Sequence, residues 1–162
     1  MKTLKFALPV LILIGIGAGV LTLWPRGRVE QEGAAAVIDA GLLEIAGTRH
    51  RLAGIVPPLP DQHCVDRKGT TWPCGQEAVE GLWKLVTGTP VYCRPHPAST
   101  DLSDCFVGGT SLSERMVRGG WALACRFGRG DLSNWENNAR FLASGLWRGG
   151  FVPPTPLDQC AG

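Results

Sequence analysis

The chain has 162 residues, 44% hydrophobic and 7% aromatic, which suffices for one domain with an ordinary core and excludes a disordered chain. Sixteen Lys and Arg stand against 14 Asp and Glu, and setting aside Lys2 and Lys5 leaves 14 of each. Clustered cations bind phosphate backbones; Arg115, Arg118, Arg126, Arg129, Arg140 and Arg148 are spaced singly, so nucleic acid is not an expected partner.

Residues 6–24 form a charge-free run of 19. At about 1.5 Å per residue such a helix spans most of a hydrocarbon core of roughly 30 Å. The run ends in Leu23, Trp24 and Pro25 rather than in a small-x-small cleavage site, so it reads as an uncleaved membrane anchor, not a removed signal peptide. Arg26 and Arg28 on the far side blur its orientation by charge. The chain therefore divides into an anchor over 1–25, a polar linker over 26–34 and a folded domain over 35–162.

Residues 35–38, 42–45 and 49–55 read as three short strands, with turns at Gly41 and at Ala46-Gly47-Thr48. Pro57, Pro58 and Pro60 then stop sheet pairing. The apolar spacing over 75–86 predicts a helix with Ala78, Leu82 and Leu85 on one face and Val79, Trp83 and Val86 beside it; Trp83 reads as core. Residues 90–93 and 103–107 read as a strand pair joined by a loop over 94–102. Two helices follow, each expected to open with a Ser-x-x-Glu capping box, at Ser111 to Glu114 and Ser133 to Glu136. The second should turn Trp135, Ala139, Leu142, Ala143 and Leu146 toward the core.

Six cysteines, Cys64, Cys74, Cys93, Cys105, Cys125 and Cys160, all follow the anchor and include no CxxC pair. That usage points to three disulfides in an oxidising compartment rather than to a zinc site. Sequence neighbours suggest Cys64 with Cys74 and Cys93 with Cys105, leaving Cys125 for Cys160. His50, His63 and His96 are scattered singly and read as structural or surface residues.

Strand and helix order suits a β-rich α+β domain built as a five-stranded OB-type barrel with about three helices. Four pieces in order carry a family resemblance: Val37-Ile38-Asp39 through Arg51-Leu52-Ala53-Gly54-Ile55; Cys74-Gly75 with Glu77-Ala78; Met116-Val117-Arg118 with Gly120-Trp121-Ala122; and Ala139-Arg140 with Gly145-Leu146-Trp147. Over residues 37–154 the chain resembles the staphylococcal-nuclease-like (thermonuclease) family in its exported bacterial form. The resemblance implies the OB barrel and, in active members, a calcium-dependent phosphodiesterase. That chemistry needs two acidic ligands for a hard cation, a glutamate base and two arginines.

Here the acids are missing. The family's Asp-Gly-Asp-Thr falls on Asp39, Ala40, Gly41 and Leu42, so the metal aspartate becomes Gly41 and the threonine Leu42. Its Ile-Asp-x-Pro-Glu falls on Ile55, Val56, Pro57, Pro58 and Leu59, so the second aspartate becomes Val56 and the base Leu59. The second arginine falls at Thr100, with Arg94 at the wrong end of the loop. Only Arg51 is kept, as a residual anion contact or as a structural arginine paired with Asp39, Glu44 or backbone carbonyls.

The expectation is a catalytically inactive nuclease-like domain, with neither metal nor cofactor. It would be held in the periplasm by a single pass through a bacterial inner membrane and serve as an accessory subunit of a membrane or envelope complex. An exposed apolar patch over Val56, Pro57, Pro58 and Leu59 would supply a protein interface. The resemblance also admits a divergent nuclease using other acids. Because some family members are assigned to exopolysaccharide production in rhizobia-like bacteria, it admits a polysaccharide-associated binding protein too.

Overall fold

The computed structural model describes residues 30–125 and 132–153. The expected anchor over 6–24 and Cys160 lie outside the described residues, within which no helix is long and apolar enough to cross a membrane. The architecture is β-rich α+β, with three α-helices and several small sheets.

Strand β1 (Gln31–Gly33) occupies residues expected to be linker, and it pairs with Val91 to Cys93. Strands β2 (Ala35–Asp39), β3 (Leu42–Ile45) and β4 (Thr48–Arg51) form an antiparallel meander. Its period of two is visible in β3, where Leu43 and Ile45 are buried between half-buried neighbours. Ala46 and Gly47, at φ 48° and 79°, make the tight turn between β3 and β4, because two positive φ values match the twist of the flanking strands.

After β4 the chain makes one parallel bridge, Leu52 to Ser103. It then turns at Gly54 into β5 (Ile55–Val56), which pairs with β11 (Leu123–Ala124). β6 (Cys64–Asp66), β7 (Thr71–Trp72) and β12 (Gly149–Gly150) form a separate small sheet. β8 (Val91–His96), β9 (Ser99–Val107) and β10 (Thr110–Ser111) join β1 in the largest one. Instead of one closed five-stranded barrel, the described residues thus form four sheets, since Leu52 is the single point at which the meander reaches β9 in the ladder.

The expected loop over 94–102 is instead a hairpin. Arg94 pairs with Asp104 and Pro95 with Ser103, and the register shifts between Pro95 and His96. A proline lacks an N–H, and a shift in the ladder is where that loss is tolerated.

Helix α1 (Cys74–Val86) buries Cys74, Ala78, Leu82 and Val86 at helical spacing. Trp83, expected in the core, is 53% exposed, because it follows Leu82 by one residue and so falls about 100° around the helix from the buried stripe. α2 (Leu112–Arg118) is capped as expected, Ser111 accepting from the Glu114 N–H at 3.4 Å. α3 (Ser133–Phe141) has Leu132 at its N-cap, with no side-chain cap bond. The Glu136 carboxylate instead accepts from the Ala124 N–H at 2.8 Å and from Arg140 at 2.9 Å. Leu142 ends the helix 63% exposed, and Leu146 is buried in the 3-10 turn Gly145–Arg148.

The disulfides Cys64–Cys74 and Cys93–Cys105 are formed as the sequence neighbours suggest. Cys125 is also disulfide-bonded; its expected partner, Cys160, is not among the described residues. Arg118, Arg140 and Arg148 stack on Trp135, Trp147 and Trp72, at 5.0, 4.3 and 3.6 Å from the ring centroids. These cations are committed to packing.

Candidate functional site

At the positions where the resemblance would put a cation site, Asp39 Oδ1 accepts from the Gly41 N–H at 2.7 Å. It thereby shapes the β2–β3 turn. Gly41 is buried under Pro57, and a Cβ there would lie 2.9 Å from Pro57 Cγ. The proline ring fills the space an aspartate would need. Leu42 is half-buried, Val56 is 4% exposed within β5, and Leu59 is an exposed apolar side chain at 53%. None offers a side-chain oxygen, so these residues do not supply the carboxylates that a hard divalent cation needs.

Arg51 lies opposite Leu42 on β4. It is exposed and makes no ion pair among the described residues; Glu44, an expected partner, pairs with Arg49 at 3.6 Å. Thr100 is exposed on β9, remote in register from Arg94, which faces Asp104. The expected patch over 56–59 is not continuous. Val56 is buried by pairing with Leu123, Pro58 is among the fully buried side chains, and of the four only Leu59 is largely exposed.

His50, Cys93 and Cys105 are close enough together to hold a metal ion. The two sulfurs are joined to each other, which removes both thiolates. His50 is a core polar bridge, with Nε2 at 2.8 Å from Gln31 Oε1 and Nδ1 at 3.1 Å from Ser103 Oγ. It ties β1, β4 and β9 together.

A second constellation lies on the outer face of the β8–β9 hairpin. Residues directly opposite alternate between faces. Val91 with Val107 and Cys93 with Cys105 point into the core, and Tyr92 with Phe106 and Arg94 with Asp104 point outward. The Tyr92 and Phe106 rings lie 6.3 Å apart and tilted by 31°, and the Arg94 guanidinium sits 5.4 Å over Phe106. Asp104 accepts from His96 Nδ1 at 2.8 Å and lies 3.5 Å from Arg94 Nε.

Because a carboxylate can only accept, Nδ1 carries a proton, and Nε2 is the ring's other polar atom. His96 is 6% exposed, and its Nε2 is buried with no hydrogen-bond partner. Such an unmet buried polar atom costs about 1–3 kcal/mol. His96, Arg94, Asp104 and Phe106 line a cavity of about 300 Å³ that reaches Glu114 on α2. Arg94, Phe106 and Tyr92 also line a second cavity of about 460 Å³ that reaches Glu32 on β1. A hydrogen bond to Glu30, which favours the protonated phenol, holds the Tyr92 pKa above its usual value, with desolvation and the Glu30 charge adding to the shift.

Neither Tyr92, His96 nor Phe106 stands out in the sequence as a site. Alternation at 92, 94 and 104, 106 is the signal that would have found them, and ending the strand before Pro95 hides it.

No family model matches the chain. Over 124 residues it is 28% identical to the succinoglycan biosynthesis protein ExoI of Rhizobium meliloti (strain 1021), covering 72% of this chain and 64% of that protein. Over 126 residues it is 29% identical to an uncharacterised 38.1 kDa protein of Capnoides sempervirens, covering 68% of this chain and 34% of that one. The chain thus spans less than two thirds of either relative's length.

Proposed function

We propose that this chain is a non-hydrolytic envelope protein that serves exopolysaccharide production as a binding or accessory subunit, on a nuclease-like OB fold that has lost its catalytic acids. The observation that carries the reading is Pro57 seated over Gly41. An acidic ligand has been replaced, and its space has been filled. Hydrolysis of a phosphodiester by the family's chemistry would need two carboxylates and a base, where this chain has Gly41, Val56 and Leu59.

The similarity to a succinoglycan biosynthesis protein supports the polysaccharide side of the reading. Strand order supports the OB assignment. β1 runs almost directly into β2, so that one stretch pairs with both β8 and β3, while β4 meets β9 in parallel at Leu52. The disulfides support an oxidising compartment, which in this reading is the periplasm, with residues 6–24 as the anchor in the inner membrane.

Deleting the coding sequence from the source organism should lower the yield, or alter the chain length, of its exported polysaccharide, and the full chain should restore it. The purified full-length protein in mild detergent should show no calcium binding by calorimetry and leave single-stranded DNA intact. Calcium-dependent cleavage lost on Arg51→Ala would overturn the reading in favour of a divergent nuclease.

A further inference from the structure

We propose that the outer face of the β8–β9 hairpin binds a neutral, hydroxyl-rich glycan, with Tyr92 and Phe106 as its stacking surface and Arg94, His96 and Asp104 as its hydrogen-bonding group. This inference rests on the polysaccharide reading above and gives it a site. The two cavities share Arg94 and Phe106 as lining, so they adjoin on this face as the two halves of the groove, one reaching β1 and the other the start of α2. Their volumes, about 300 and 460 Å³, fall in the range of roughly 300–1,000 Å³ found for small-molecule sites.

Chemistry selects the ligand class. A sugar ring offers an apolar C–H face, which suits half-buried aromatic rings, and a rim of hydroxyls that both donate and accept. Charge excludes the obvious competitors. Asp104, Glu114 and Glu32 line the groove against the single guanidinium of Arg94, and Asp104 already faces that guanidinium. A phosphate or a uronic acid would meet surplus carboxylates, whereas neutral hydroxyls can donate to them. The unpartnered Nε2 of His96 can be met by a hydroxyl, which both donates and accepts and adds no charge.

The test is calorimetry on the full-length protein in mild detergent, with size-fractionated neutral β-glucan oligosaccharides as the probe and polygalacturonate and single-stranded DNA as comparisons. The neutral probe should bind. Phe106→Ala should weaken binding by about tenfold or more, the loss of one aromatic contact surface. Arg94→Gln, at a half-exposed position, should weaken it as well. His96→Phe keeps the bulk and removes the ring nitrogens, and it should also lower affinity.

Unchanged affinity in Arg94→Gln and Phe106→Ala overturns the site, and tighter binding of either acidic polymer overturns the ligand class. Release of reducing ends from the probe would replace binding by hydrolysis. A wild type that binds no neutral probe also sinks the site. The polysaccharide phenotype of the deletion is read separately, so the accessory function can survive any of these results.

Discussion

Gly41 and Pro57 occupy between them the volume that an acidic ligand would need. Gly41→Asp should therefore destabilise the protein by about 1–3 kcal/mol through overpacking, measured as a lower urea midpoint with an unchanged slope. Introducing three acids as Gly41→Asp, Val56→Asp and Leu59→Glu should yield no calcium binding, because Val56 is buried at 4% exposure and an aspartate there would be an unpaired buried charge.

Tyr92 is the only tyrosine in the chain, so phenolate absorbance reports it alone. Its midpoint should lie above 10.0, and Glu30→Ala should bring it back toward that value. Since folding raises this pKa, the associated stability is fully present below pH 10.0 and is lost as pH rises through the folded value.

At the level of elements, α3 is held by a contact the capping pattern conceals. Glu136 is buried at 8% exposure and bonds the Ala124 N–H of β11 as well as Arg140. Glu136→Ala should cost about 2 kcal/mol by orphaning that N–H, and Arg140→Ala should cost less, since the arginine end of the i,i+4 pair is exposed and the Ala124 N–H still holds the carboxylate. Thermal melts of the two variants will separate the terms.

The β6–β7 hairpin has its own polar anchor in Asp66, whose Oδ1 accepts from the Thr70 and Lys68 N–H groups at 2.9 and 2.8 Å. These bonds, Thr70's first, lower its pKa below 3.8, outweighing a smaller opposing desolvation. The stability it contributes is present above that pH and fades as pH falls through the folded value.

For the molecule as a whole, the disulfides close loops of 10 and 12 residues in sequence separation. Replacing Cys93 and Cys105 together by serine should remove about 2–4 kcal/mol, read as a lowered melting temperature that added reductant does not lower further by that route. On the anchor reading proposed above, replacing residues 1–25 by a cleaved secretory signal should release the protein from membranes into a soluble exported fraction, checked by fractionation and protease accessibility.

Local chemistry written into consecutive residues was readable in advance. Leu43 and Ile45 declare a strand by alternation, Ala78, Leu82 and Val86 declare a helix by spacing, Ser111 declares a cap, and the cysteines pair with sequence neighbours because short hairpins and turns bring them together. The absence of acids at Gly41, Val56 and Leu59 was equally plain.

Contacts between distant segments were not readable. The side on which Trp83 emerges depends on what covers α1, and the destination of the Glu136 carboxylate depends on where β11 lies. Pro57 over Gly41 joins residues that the chain order leaves apart. The groove needs Tyr92, Arg94 and His96 from one strand and Asp104 and Phe106 from the next in one register. Composition and spacing determined which elements form and which functional groups are present, because those follow from local geometry and from residue identity. Only the tertiary structure decided which side chains share a face, because pairing register and packing are set by the whole core at once.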